Sequence, residues 1–134
     1  MREQRRFTLD EANGLLPWLE GKFAELEPYL SEVGSQQERG EGLLTKTRSN
    51  GGSSHVQDEL HRTQQMVEEL QKSVQDILEQ IVGRGIIVRS LERGLVDFPS
   101  LREGREVHLC WVRGESQVGF WHETDTGFAN RQPL

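Results

Sequence analysis

The stretch Phe7–Val33, FTLDEANGLLPWLEGKFAELEPYLSEV, places apolar residues at Leu9, Ala12, Leu16, Leu19, Phe23, Leu26, Leu30 and Val33. The steps between them alternate between three and four, which is the a/d seam of a helix packed on another helix. Thr8 and Glu11 stand at capping-box spacing, with Phe7 at the staple position opposite Ala12, so Thr8 is the expected N-cap. Pro17 and Pro28 lie inside the stripe, and an interior proline costs a helix roughly 3 kcal/mol. Because the seam keeps its phase across both, the stretch reads as one bent helix over about residues 9–33, with a break at Pro17 as the alternative.

The partner follows Ser54. Ser54 and Gln57 form a second capping-box pair, and Val56, Leu60, Thr63, Val67, Leu70, Val74, Ile77 and Ile81 repeat the alternation until Gly83 and Gly85 end it. Two stripes joined in sequence predict an antiparallel helical hairpin over about residues 8–83. Between them, residues 34–54 are rich in glycine and serine and read as a flexible connection, with Leu43 and Leu44 its only apolar pair.

After Gly85 the period becomes alternating, through residues 86–91, 95–98, 107–113 and 117–122, with Glu92-Arg93-Gly94 as a turn and Pro99–Gly104 as a longer loop. The expected class is therefore α+β: a long antiparallel helical hairpin packed on a small, mainly antiparallel β-sheet, with a C-terminal tail from Thr124 to Leu134. One domain over residues 1–134 accommodates it, β-rich from about residue 86.

Gly114-Glu115 fits a two-residue type II′ turn. That turn would pair Trp111 with Val118, Leu109 with Phe120 and Val107 with His122, leaving His108, Cys110 and Trp121 on the other face. A three-residue loop over Gly114-Glu115-Ser116 would instead set His108 across from His122, with Cys110 on the same side. Loop length decides between the two.

Sixteen Lys and Arg against 22 Asp and Glu give a net charge of −6 over 134 residues, a poor balance for gripping a phosphate backbone, so no nucleic-acid partner is expected. Hydrophobic residues make up only 34%, which points to a thin core. No apolar run approaches the roughly 20 residues that span a bilayer, and none of signal-peptide length follows the N-terminus. With a single cysteine besides, the expectation is a soluble cytoplasmic protein without a membrane partner.

Several of these stretches resemble an uncharacterised prokaryotic family, the domain of unknown function 2203. The resemblance rests on Phe7–Asn13 with Leu15-Leu16-Pro17, on Leu91–Pro99, and on Leu109-Cys110-Trp111 followed by Gly119–Glu123. Asp125–Phe128 with Arg131–Leu134 looks similar too, while residues 34–54 fall outside it. The resemblance supports the fold and implies no activity.

For chemistry, the densest reactive stretch is His122-Glu123-Thr124-Asp125. A helical zinc-protease signature would need a second histidine where Asp125 stands, so that signature is absent. Ordinary structural roles are preferred for the histidines, Cys110 reads as a buried structural thiol, and no metal ligand set is assigned. All six basic residues beyond residue 86 are arginines, suited to carboxylates and phosphates. Arg93 with Asp97, and Arg131 with Asp125 or Glu123, are the expected pairs.

The best functional expectation is an interaction or structural protein that self-associates as a dimer, since two thin helices leave apolar surface to cover. The alternative is a protein or enzyme that binds a small anionic ligand or a metal. Its candidate site comprises Trp121, His122, Glu123, Asp125 and Arg131, with Arg93 and Asp97 nearby. There His122 or Glu123 would move a proton and Arg131 would hold the anion.

Overall fold

A computed structural model describes residues 5–50 and 53–134. It contains two long helices, α1 (Leu9–Asn50) and α2 (Ser54–Val82), followed by five strands: β1 (Ile87–Ser90), β2 (Leu95–Arg102), β3 (Arg105–Val112), β4 (Phe120–Glu123) and β5 (Gln132–Pro133). The strands form one sheet in sequence order, every neighbouring pair antiparallel. The chain is thus an α+β protein, a helical hairpin with a small antiparallel sheet. No helix among the described residues is long and apolar enough to cross a membrane.

The chain divides into two compact units. One comprises the residues up to Ala24 together with Leu78–Leu134, the other Glu25–Ile77. In the first, the capping box forms as expected: the Thr8 N–H donates to Glu11 Oε1 at 3.0 Å, and the Glu11 N–H donates to Thr8 Oγ1 at 3.1 Å. These hydrogen bonds hold the Glu11 carboxyl below its ordinary pKa. The seam residues Ala12, Leu16, Leu19 and Phe23 are buried. Phe7 meets Phe98 edge-on at 5.3 Å, and Phe23 lies 6.5 Å from Trp111, so the first turns of α1 cover one face of the sheet. That face carries Val96, Phe98, Val107, Leu109 and Trp111, all buried.

In the second unit, the flexible connection expected over residues 34–54 is instead helical. α1 continues to Asn50, through both prolines, and only Gly51 and Gly52 of that stretch lie outside the described residues. The seam goes on past Val33 through Gln36, Gly40, Leu43 and Thr47, at the same steps of three and four, with small or polar residues in apolar positions. Gly40 lies close to Thr63 of α2, Leu43 is buried, and Arg39 pairs with Glu59 at 3.6 Å. The cap of α2 is Ser53, one residue earlier than expected. Its Oγ accepts the Val56 N–H, and its carbonyl accepts the Gln57 N–H.

The sheet departs from the sequence reading in its fifth strand, β5, which the expected tail supplies, and in two connections. β2 runs on through Pro99 to Arg102, so Glu103 and Gly104, both at positive φ, make a two-residue hairpin where a longer loop was expected. Pro99 is tolerated because β1 pairs only with Leu95–Asp97. Beyond it, the Pro99 carbonyl accepts the Phe7 N–H at 2.7 Å.

The second connection is the turn after β3. Glu115 N–H donates to the Val112 carbonyl, and Gly114 sits at φ +107 in the third turn position, as in a type II turn. Glu115 Oε1 also accepts the Val112 N–H. The resulting register pairs His108 with His122, Leu109 with Trp121 and Cys110 with Phe120. This is the register of the three-residue loop, and the type II′ pairing is overturned. Shifting by one residue turns every β4 side chain over. Trp121 therefore shares a face with Leu109 and Trp111, whereas His122 joins His108 and Cys110.

Gly94 closes the β1–β2 turn at φ +66, and its carbonyl accepts the Arg113 N–H at 3.0 Å. A Cβ there would lie 2.6 Å from Arg113 Cβ. Gly94→Ala is therefore expected to lower stability by about 2–4 kcal/mol, read from the urea midpoint. A loss below about 0.5 kcal/mol would mean that the turn is not strained as described.

Candidate functional site

On the sheet face turned away from α1, the strand pairings place Asp97, Cys110 and Phe120 in one row and Pro99, His108 and His122 in the next. Such a face should hold water-compatible residues, yet Asp97, His108, Cys110 and His122 are all buried. The cover is the C-terminal tail. β5 adds to β4 through Phe120↔Pro133 and Trp121↔Gln132, and the Leu134 N–H donates to the Gly119 carbonyl at 2.9 Å. Arg131 stacks on Phe120 and Phe128 at 3.9 and 4.2 Å, and its two terminal nitrogens grip the two Glu115 oxygens at 3.1 and 3.0 Å. That planar two-point pair fastens the tail to the β3–β4 connection.

Asp97 is the hub. Its Oδ2 accepts Arg89 Nε at 2.8 Å, and its Oδ1 lies 3.0 Å from His122 Nε2. The other ring nitrogen of His122, Nδ1, sits 2.7 Å from the Glu123 carbonyl. A carbonyl only accepts, so Nδ1 carries the hydrogen, and a neutral ring then turns a lone pair on Nε2 toward a carboxylate oxygen. Two acceptors at 3.0 Å need positive charge on or between them. The Thr126 N–H and hydroxyl also donate to the Glu123 carbonyl, which ties the His122 ring to the first turn of the tail.

Cys110 Sγ completes a set of three ligand-type atoms, from Asp97, Cys110 and His122, all within 4.8 Å of one another. Burial, followed by the Asp97 charge, pushes the Cys110 thiol up to about 11. His108 stacks edge-on against His122 at 5.4 Å. Its buried Nδ1 has no hydrogen-bond partner among the described residues and stands 3.5 Å from Asp97 Oδ2, beyond good bonding geometry. Burial holds its imidazole below the ordinary pKa against the pull of Asp97, which keeps the ring neutral. Beside Asp97 and Cys110 opens a cavity of about 280 Å³, also lined by Arg89, Leu95 and the tail residues Thr124–Phe128.

The residues singled out from sequence separate in the structure. Asp97 and His122 enter the cluster. Arg131 is committed to Glu115 and not to Asp125 or Glu123, whereas Glu123 pairs with Arg105 at 2.8 Å. Asp97 takes Arg89 in place of Arg93, which stacks on Phe128 at 4.7 Å. Trp121 lies on the opposite face under Arg102 and Arg105, and Asp125 is exposed at the cavity. Sequence reasoning had no reason to choose Arg89; its only signal is its place two residues from Ile87, which pairs with Asp97.

Because the tail shields Cys110, Arg131→Ala is expected to speed its reaction with a thiol reagent at least tenfold, about 1.4 kcal/mol of lost local protection. Labelling followed by absorbance checks this, with hydrogen exchange of the Leu134 amide as a second readout because Arg131 also lowers the Cys110 thiol pKa; no change in either would show that the pair does not hold the tail.

The fold and the cluster together define a small α+β protein with a buried Asp-His-His-Cys group beneath its C-terminal tail. The profile of the uncharacterized conserved protein family DUF2203 matches residues 5–134, and the chain belongs to that family. No curated protein and no solved structure matches it.

Proposed function

We propose that this protein binds a divalent first-row transition ion through Asp97, Cys110 and His122. The observation that carries the reading is the convergence of buried Asp97, Cys110 and His122, whose ligand-type atoms lie within 4.8 Å of one another, with His122 Nδ1 against the Glu123 carbonyl and Nε2 3.0 Å from Asp97 Oδ1. A backbone carbonyl behind a histidine is the usual way of orienting a metal ligand, and an ion between Nε2 and Oδ1 would take the place of the proton that otherwise joins them. Ligand atoms around a tetrahedral ion stand about 3.3–3.7 Å apart, so small side-chain rotations close the three atoms on an ion. One thiolate, one imidazole and one carboxylate suit zinc, iron or cobalt better than magnesium or calcium. As the carboxylate turns toward the ion, its other oxygen stays with Arg89, and the unpartnered His108 Nδ1 stands beside it.

Three protein ligands with a cavity on the fourth side are characteristic of an ion that exchanges ligands, where a structural ion is closed off by four. The expected result is that Zn²⁺ raises the thermal midpoint of chelator-treated protein by ~10 °C at about 1,000-fold its dissociation constant. Cys110→Ser removes that rise and His55→Gln, on the exposed part of α2, keeps it. Equal responses from wild type and Cys110→Ser would overturn the proposal.

Self-association is the second reading. It is supported by a groove of about 640 Å³ along Gln36–Leu44 and Leu60–Glu68, where Leu44 is 40% exposed. Light scattering on the full chain tests it: a dimer is expected, and a monomer at millimolar concentration removes it.

A further inference from the structure

The cavity beside Asp97 and Cys110 has a cation at its rim. Arg89 spends only Nε on Asp97, and its two terminal nitrogens make no hydrogen bond to a described residue. Its side chain is 44% exposed, so those donors are reachable from solvent. Leu95 and Phe128 supply apolar walls, and Asp125 adds a carboxylate at the rim. We infer that a small carboxylate occupies this cavity, one oxygen on the metal ion and the other on the Arg89 guanidinium; the inference rests on the metal reading above.

Charge and size select the class. A divalent ion is neutralised by the Asp97 carboxylate and the Cys110 thiolate, and Arg89 and Asp125 are the opposite charges left at the rim, so a monoanion on Arg89 adds one negative charge where a dianion adds two. The planar guanidinium matches a planar carboxylate. A phosphate dianion would bring excess charge up to Asp125, and about 280 Å³ is at the lower end of ligand cavities. Leu95 and Phe128 favour a short apolar portion on the bound acid. A carbonyl or hydroxyl oxygen of the acid placed on the ion would be polarised by it, so the arrangement supports Lewis-acid chemistry on small carboxylic acids.

The experiment uses the full chain loaded with Co²⁺, whose visible bands report changes in its ligands. Acetate is expected to shift those bands saturably, and inorganic phosphate to act more weakly. Arg89→Gln, with each protein read against its own acetate-free bands, raises the half-saturating acetate concentration at least tenfold, while Arg89→Lys recovers part of the loss. Bands that ignore acetate up to roughly 0.1 M, enough to saturate a ~1 mM site, overturn this inference and leave the metal reading standing. Bands that respond to acetate equally in Arg89→Gln, or more strongly to phosphate, overturn the carboxylate assignment. If Co²⁺ yields no protein-dependent bands at all, the metal reading and this one fall together.

Discussion

Trp111→Ala is expected to lower stability by about 3–5 kcal/mol, the cost of removing a large side chain from a closed core, and with it the thermal midpoint by ~10–15 °C. Trp111 is fully buried on the sheet face that α1 covers and lies against Phe23. Its Nε1–H donates to the Glu115 carbonyl at 3.0 Å. Glu115 is the same residue that sets the turn after β3 and grips Arg131, so the indole joins the core to the tail's anchor. Trp111→Phe keeps most of the volume and loses the hydrogen bond, and should cost only about 1–2 kcal/mol. Urea unfolding of both variants separates the two contributions, and a Trp111→Ala loss below about 1 kcal/mol would contradict the packing described.

The second large effect comes from Asp97. Asp97→Ala removes the acceptor shared by Arg89 and His122 inside a closed cluster, and should cost about 3–5 kcal/mol, as expected when one partner of a buried charged pair is deleted. Asp97→Asn is the more discriminating change. An amide oxygen still accepts Arg89 Nε, and the amide NH₂ can donate to Nε2 of a neutral His122 ring whose Nδ1–H stays on the Glu123 carbonyl. The asparagine variant is therefore expected to stay within about 1 kcal/mol of wild type while losing the Zn²⁺-dependent rise in thermal midpoint. Thermal scans with and without Zn²⁺ decide it. An Asp97→Asn protein as unstable as Asp97→Ala would show that Asp97 serves its neighbours mainly by its charge, and one that keeps the Zn²⁺ response would remove Asp97 from the ligand set.

Much of the fold is legible in the sequence because it is written in repeated apolar spacing. The stripe from Leu9 to Val33 and that from Val56 to Ile81 mark α1 and α2, and the Thr8–Glu11 pair marks where α1 begins. The end of α1 is not legible. Beyond Val33 the seam positions are Gln36, Gly40 and Thr47, and composition there suggests a linker although the phase is unbroken. Helix propensity is a weak guide where packing on a second helix does the stabilising.

The site was harder to read, and for one physical reason. Whether His122 shares a face with His108 and Cys110 depends on a single residue of register, and in the connection that sets it the Glu115 carboxylate accepts the Val112 N–H. No local pattern announces that a glutamate after a glycine will replace a strand partner. Once β4 turns over, the pairs inferred from proximity along the chain rearrange as well. Asp97 finds Arg89 across the β1–β2 turn, and Arg131 finds Glu115 across the tail. The histidines, for which structural roles were expected, lie in a buried cluster in which His108 Nδ1 has no hydrogen-bond partner among the described residues.

The most direct measurement is an anomalous difference map from crystals of the full chain grown with Zn²⁺, recorded at the zinc edge. The account predicts one strong peak about 2.0–2.3 Å from Asp97 Oδ1, Cys110 Sγ and His122 Nε2, with a fourth position facing the cavity lined by Arg89 and the tail. A peak confined to exposed groups such as His55 with Glu59, with nothing between Asp97 and His122, would contradict it.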